Sequence, residues 1–471
     1  MGSGRVTRAD GRGLVGVDGA TWKHCGTPLS GSNDSMAHPD SRRRVASTIG
    51  QLRETHNGSS VLCASSVAIQ GGLNHMAAEQ ICALADDLTG AIETASLLSV
   101  GTGDAEVVLA DHPPRGEAEQ PLARNAQTGS ARVVDLDVRH ASGAAAYAAV
   151  LRASETAGRV DFVKIDSLLR GNPASLIAAA TATGPVVVCP ALPAAARTTK
   201  SGRLRSPDLP AYDGRDLAAL LPPAGVALIG LRVVRGDPCG LGEAIAGGCR
   251  AGRVPVCDAE TAADLDRIVA AATALGGVTL VGSGGLAAAA GRARSRTRAR
   301  CGDAARPSGT RRVLAVIGSA ESSAHAQVDR LEACGGQVIT ARDDVGDDAG
   351  AYDRLVEAVR DALGRGPVVL TAGRGSKHRG GESATIARCL GDVVRDALGG
   401  ACDTRLFLTG GQTARAVFDA LGVRVARVVA EVDMGAVYCR TDTGHEVVTR
   451  PGSMGGPDAL LKVVEYLKGA A

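Results

Sequence analysis

The sequence predicts an α/β protein of two domains, each with a mostly parallel sheet flanked by helices. Three observations carry that expectation. From Ile81 onward, short apolar runs alternate with Ala-rich stretches of helical period, the pattern of βαβ units. The apolar runs are continuous rather than strictly alternating, as befits strands covered by helices on both faces. Several of them end in a Gly/Ser/Thr turn that opens a helix.

Taken in order, strands are expected at ICALA, EVVLA, RVVDL, VDFVKI, PVVVCP, VALIGL, VPVCD and VTLVG. Helices such as Ala141 to Ala157 and Ala259 to Leu275 fall between them. Residues 76–290 then form a first domain. Gly291 to Arg312 interrupts the pattern with arginines at 292, 294, 296, 298 and 300. Without aromatic partners, and flanked by Pro307 and Gly309, this stretch reads as a solvated linker rather than a nucleic-acid patch. A second domain over 313–471 follows, with strands at RVLAVIG, GQVIT, GPVVLTA, TRLFLTG, ARVVAEV and EVVTR. Residues 1–75 mix Gly, Ser, Arg and Asn with scattered apolar positions. They read as a mobile extension or as a translation start placed too far upstream, because Met76 opens MAAEQICALADD.

Bulk composition narrows the function classes. Of 471 residues, 45% are hydrophobic and 22% charged, as in ordinary globular proteins. The net charge of +2 and an aromatic content of 2% argue against nucleic acid and against an anionic membrane surface. No apolar run approaches the ~20 residues of a bilayer span, and no secretory leader opens the chain. The 12 cysteines form no C-x-x-C pair, and Cys82, Cys189 and Cys257 lie inside apolar runs. They read as buried thiols of a reducing, cytoplasmic compartment, with no metal site of their own.

Four segments share a strand–turn–helix grammar: ADDLTGAIETASLL, VTLVGSGGLAAAAGR, RVLAVIGSAESSAHAQVDRL and RLFLTGGQTARAVFDALG. A helix's first turn carries unpaired N–H groups and partial positive charge, and glycines let an anion approach them. Any one such turn is also what an ordinary βα connection needs. TGGQTA, with Gly410, Gly411, Gln412 and Thr413, is the strongest of them. No Walker A element occurs, and no G-x-G-x-x-G element follows an expected strand, the only match being Gly11 to Gly16 in the extension, which disfavours P-loop NTPases and standard dinucleotide enzymes. RPGSMGGPDAL supplies another glycine loop before the last helix.

The densest chemistry lies in VDFVKIDSLLRGNPASL, which delivers Lys164, Asp166, Ser167, Arg170 and Asn172. Period-two alternation puts Lys164 and Asp166 on one strand face, where they would pair if buried. Arg170 could hold a carboxylate with two parallel bonds, and Asn172 and Ser167 could bond hydroxyls. An ordinary salt bridge beside an Arg-capped turn is the plain alternative. Asp86 and Asp87 end the first strand, at the edge where open α/β sheets bind ligands. Adjacent carboxylates need a cation, a metal or hydroxyls nearby. An N-capping Asp with a solvated neighbour is the plain alternative there.

ADDLTGA, KIDSLLRGN, VCPALPAAART, CDAETAADLD, GSGGLA, TGGQTA and RPGSMGGPDAL, in this order over about 80–471, resemble the four-carbon acid sugar kinase family. The resemblance implies ATP- and Mg2+-dependent phosphorylation of erythronate, threonate or a 3-oxo-tetronate at the terminal 4-hydroxyl. It implies an active site in the cleft between the domains. Asp87 or Asp86 would be catalytic. Lys164, Asp166, Ser167, Arg170 and Asn172 would bind the sugar acid. Ser319, Gly410, Gly411, Gln412, Thr413, Gly452 and Gly455 would hold ATP. The chain departs from the family pattern at Leu168, Glu321, Ala324, Gln412, Arg450, Ser453 and Met454. A weakened or inactive paralogue that senses a sugar acid is therefore the alternative. The small-molecule partners implied are the sugar acid and ATP. A homodimer is one assembly open to such a chain.

Overall fold

The computed structural model describes residues 80–100, 104–110, 130–221, 225–295, 307–318, 322–341, 349–372 and 380–469. The extension over 1–75 and the arginines at 296, 298 and 300 lie outside the described residues. The first lobe contributes strands β1 (Ile81–Ala85), β2 (Ala105–Leu109), β3 (Ala131–Asp135), β4 (Phe162–Lys164), β5 (Val186–Cys189), β6 (Thr198–Lys200), β7 (Arg203–Arg205), β8 (Val226–Ile229), β9 (Val254–Cys257) and β10 (Thr279–Gly282). Its helices are α1 (Leu88–Leu98), α2 (Gly143–Ala157), α3 (Pro173–Thr183), α4 (Leu217–Leu220), α5 (Leu231–Val234), α6 (Pro238–Arg250), α7 (Ala262–Leu275) and α8 (Gly284–Arg294). The second lobe contributes β11 (Arg312–Ile317), α9 (Ser322–Ala333), β12 (Gln337–Thr340), α10 (Ala349–Leu363), β13 (Val368–Thr371) and α11 (Gly380–Leu398). It continues with β14 (Thr404–Thr409), α12 (Gly411–Ala420), β15 (Val425–Asp433), β16 (Ala436–Thr441), β17 (Glu446–Arg450) and α13 (Ala459–Lys468).

Local chemistry sets the helix starts. Asp87 caps α1 by accepting from the Gly90 N–H, and Ser142 caps α2 in the same way. Thr261 and Asp264 form a reciprocal capping box on α7. Pro173 stands in the first turn of α3, where a missing N–H costs nothing. Along β1 the side chains sort by parity. Ile81, Ala83 and Ala85 join the apolar core with α1, while Cys82 and Leu84 join the core under α2 and α3. Both faces of the sheet are thus covered, as the unbroken apolar runs require.

The strand order is β2-β3-β1-β4-β10-β5-β9-β8 in the first lobe, all parallel. In the second it is β12-β13-β11-β14-β17-β16-β15, with the last two steps antiparallel. The two sheets are continuous. β15 pairs antiparallel with β2, Ala426 opposite Val107, so that 15 strands form one sheet. The join depends on β16, which the apolar pattern does not single out. It folds back on β15 through a turn in which Gly435 takes a φ of +70°. Among the described residues, no helix is long and apolar enough to cross a membrane.

Candidate active site

The carboxyl ends of β1, β3, β4 and β5 converge on one edge of the first lobe, and each releases a charged side chain there. Just past β1, Asp86 and Asp87 are both buried. Arg139, four residues past β3, spans the pair. Its Nε and Nη2 donate to Asp86 Oδ2 and Oδ1 at 2.8 and 2.7 Å, and its Nη1 donates to Asp87 Oδ2 at 2.6 Å. Two neighbouring carboxylates are tolerable here because one planar cation serves both. The aspartates differ in outlook. Asp86 spends both oxygens on Arg139, whereas Asp87 lines the cleft. Asp87 also accepts from Gly90 N and Thr89 Oγ1, both at 2.9 Å.

β4 ends at Lys164, so Asp166 lies beyond the strand. The two do not pair with each other, contrary to the alternation argument. Asp166 takes Arg170 Nε and Nη2 at 3.0 and 2.8 Å and lies 3.8 Å from Arg139 Nη2. Burial alone would raise the Asp166 carboxyl, but the Arg139 and Arg170 guanidiniums hold it well below the usual carboxylate range. Arg170 is thereby engaged with Asp166 and is not an open clamp for a substrate carboxylate. Lys164 is buried, its Nζ 3.7 Å from Glu93 Oε2, and it makes no hydrogen bond among the described residues. Burial pushes the Glu93 carboxyl up, against the pull of Lys164.

A cleft open to solvent gathers these groups. Asp87, Lys164, Asp166, Ser167 and Arg170 line it together with Glu93, Arg139 and Arg197. Asn172 does not line it. Its amide donates to the carbonyls of Val138 and Ala141 at 2.8 and 2.9 Å, fixing the loop that carries Arg139.

The second lobe reaches the same place through backbone. Gly410 precedes α12 with a φ of +95° and provides no side-chain cap, so the helix begins with bare N–H groups. Gly411 packs on the first lobe: a Cβ there would fall 2.1 Å from Asp87 Oδ2. Thr413 packs as closely on Gly318, where a Cβ would lie 1.9 Å from its hydroxyl oxygen. Gln412 accepts from Ser383 Oγ at 2.9 Å. Gly452 and Gly455 belong to the turn after β17. Pro451, Ser453 and Met454 of this turn face the cleft, and Gly455 packs on the Arg450 guanidinium. Arg450 is buried over the Phe407 ring and bonds Gln327, and burial pulls it down to about 10. Its Nε and Nη1 have no hydrogen-bond partner among the described residues. Ser319 lies outside the described residues.

Sequence reasoning missed Arg139, Glu93 and Arg197 as site residues, and noted Arg450 as a departure from the family pattern. Arg139 and Arg197 were within reach, since each follows an expected strand by a few residues. Glu93 faces the cleft only because α1 packs between the lobes, which no local pattern reveals.

A charged cleft abutting a helix that opens on glycines, within a two-lobed α/β fold, is the layout of a small-molecule kinase. Residues 81–290 match the family model described as a sugar-binding N-terminal domain, and 314–460 match the one described as a nucleotide-binding C-terminal domain. A D-threonate kinase of Cupriavidus necator is 32% identical over 409 residues, covering 80% of this chain and 95% of that protein. A D-threonate kinase of Bordetella bronchiseptica is 29% identical over 414 residues, covering 82% and 96%. The chain belongs to the four-carbon acid sugar kinase family and is a carbohydrate kinase. The fold is shared with a Salmonella typhimurium LT2 structure titled putative tRNA synthase, at TM-score 0.64, 19% identity and coverage of 82% and 98%. A Haemophilus influenzae DUF1537 protein shares it too, at TM-score 0.58, 20% identity and coverage of 82% and 99%.

Proposed function

We propose that the chain transfers a phosphoryl group from ATP to the terminal 4-hydroxyl of a four-carbon sugar acid. The first candidate is D-threonate, the substrate in the names of both curated relatives. On this reading, residues 76–290 hold the acid and 313–471 hold the nucleotide. The observation that carries it is the contact between Gly411 and Asp87, which sets the start of α12 against the carboxylate that faces the cleft.

Each residue has a part that follows from its surroundings. Asp87 is held by Arg139, Thr89 and the Gly90 N–H, so its carboxylate cannot swing, and it orients the acceptor hydroxyl or takes its proton. Asp86 acts indirectly, by fixing Arg139. Lys164 keeps its hydrogen-bond donors unspent inside the cleft and offers them to the sugar acid or to the charge that develops during transfer. Asp166 locks Arg170 in place rather than meeting ligand. The amides that follow Gly410, and the loop through Gly452 and Gly455, suit a phosphate chain. The unmet N–H groups of Arg450 beneath that loop fit an anion as well. ATP would supply the phosphoryl group. The described residues contain no group of three or more His, Cys, Asp or Glu that could hold a metal. Magnesium would therefore bind mainly through nucleotide oxygens.

The test is ADP release from ATP and magnesium with D-threonate, D-erythronate and 3-oxo-tetronates in turn. Turnover with one acid well above the rest is expected. No ADP with any acid, alongside a Tm raised by one of them, would establish the sensing paralogue instead.

A further inference from the structure

We infer that Arg197 couples the two ligand sites, positioning the Pro451–Gly456 loop according to whether the sugar acid is bound; the inference rests on the assignment of the lobes given above. Arg197 follows β5 by way of a short 3-10 turn over Pro193–Ala195, and Ala196 turns left-handed at φ +53°. Its backbone exchanges hydrogen bonds with Leu192 at 2.7 and 3.1 Å, so the stem is pinned and only the guanidinium can respond. That guanidinium is buried between the lobes. Nη1 donates to Ser167 Oγ at 2.6 Å, on the sugar-acid side. Nη2 donates to Ser453 at 3.2 Å to the hydroxyl and 3.3 Å to the carbonyl, on the nucleotide side.

The loop that receives Arg197 has two faces. Pro451, Ser453 and Met454 look into the cleft. On the other face, the carbonyls of Met454 and Gly455 accept from Gln327 Nε2 at 3.3 and 3.1 Å, and Gln327 Oε1 accepts from Arg450. A continuous polar chain thus runs from Ser167 through Arg197, the loop and Gln327 to Arg450. Its first rigid link is a planar fork whose two Nη groups cannot be aimed independently. A ligand oxygen that takes Nη1 in the cleft fixes the direction in which Nη2 holds Ser453. The loop is then ordered before nucleotide arrives, and that ordering cost falls away from the second binding step. The coupling is positive and, by linkage, equal in both directions.

Calorimetry tests this with magnesium and the β,γ-imido analogue of ATP, titrated with and without saturating D-threonate. In the wild-type protein the acid should tighten analogue binding about five- to tenfold, and the analogue should tighten D-threonate by the same factor. In Ser453→Ala, which removes the hydroxyl and leaves the carbonyl acceptor, that ratio should fall by at least about twofold. Arg197→Lys should lose the coupling, because an ammonium keeps the charge but cannot span both partners. A role limited to local charge or folding would let lysine restore the ratio. Full coupling in either variant would overturn the inference, as would wild-type protein that binds both ligands without coupling. Wild-type protein that binds neither ligand would overturn the assignment of the lobes, and the inference with it.

Discussion

Where the first lobe meets the cleft, it presents charged side chains that hold one another: Arg139 on Asp86 and Asp87, Arg170 on Asp166, Lys164 near Glu93. Where the second lobe meets it, Pro451, Ser453 and Met454 line it, Gly411 at the start of α12 packs on Asp87, and a large cation, Arg450, lies buried beneath. The contrast fits the ligands proposed for each wall. A small acid with several hydroxyls is recognised by directional groups, and these stay fixed in a buried site only if they neutralise each other. A phosphate chain is served by amide hydrogens at a helix start, where any side chain would be in the way.

The largest effect should come from Asp87, the cleft carboxylate on which Gly411 packs. Asp87→Asn can still cap α1, since asparagine is as good an N-cap. It should lower kcat by about 10²- to 10⁴-fold while the Kd for ADP stays within about twofold. Unchanged turnover would remove Asp87 from the chemistry and leave the first wall purely structural.

Next comes the fork. Arg139→Lys keeps one positive charge but cannot reach three carboxylate oxygens. Losing hydrogen bonds to charged groups, each worth about 1.5–3 kcal/mol, should cost at least about tenfold in kcat/KM for the sugar acid. The KM for ATP should hardly move. A matched loss in both would mean that the walls are not separable.

The second wall depends on absent atoms, so it is tested by adding one. Gly411→Ala places a methyl against Asp87 and should destabilise the protein by about 1–3 kcal/mol in urea titration, with lower activity. Gly242 lies inside α6, and a Cβ added there would meet nothing within 4 Å, so Gly242→Ala should be neutral or gain up to about 1 kcal/mol. Equal behaviour of the two variants would refute the close approach of the lobes.

The smallest effect concerns the joint away from the cleft. Arg415 on α12 reaches Asp135 at the end of β3 at 3.0 Å and the Ala110 carbonyl at 2.7 Å. Burial pushes the Asp135 carboxyl up to about 7 despite Arg415. A carboxyl raised in the folded state contributes stability that is full at pH values below its unfolded pKa, near 4, and is lost as pH climbs to about 7. The Tm of wild-type protein minus that of Asp135→Asn should therefore fall from pH 4.5 to pH 7 and then level off. A flat difference would show that Asp135 titrates as an ordinary carboxylate.

Much of the first wall was legible because its residues cluster at strand ends in one short run. Asp87, Lys164, Asp166, Ser167 and Arg170 come to one cleft as their positions after β1 and β4 suggested. Their partners were not legible. Lys164 faces Glu93 rather than Asp166, because β4 stops at Lys164 and the chain turns before Asp166. Asn172 looked like a ligand group and instead ties down the loop of Arg139.

The amino-acid order by itself settled much of what depends on near neighbours: most of the strands, though not β6, β7 or β16, and where glycine turns open the helices. Those are outcomes of period, propensity and hydrogen bonds within a few residues. Only the tertiary structure decided which charges share a partner, that β2 and β15 knit two sheets into one, and that Gly411 lies on Asp87. Such contacts join residues tens to hundreds of positions apart, and burial selects them through the combined packing of both lobes, which no local stretch encodes.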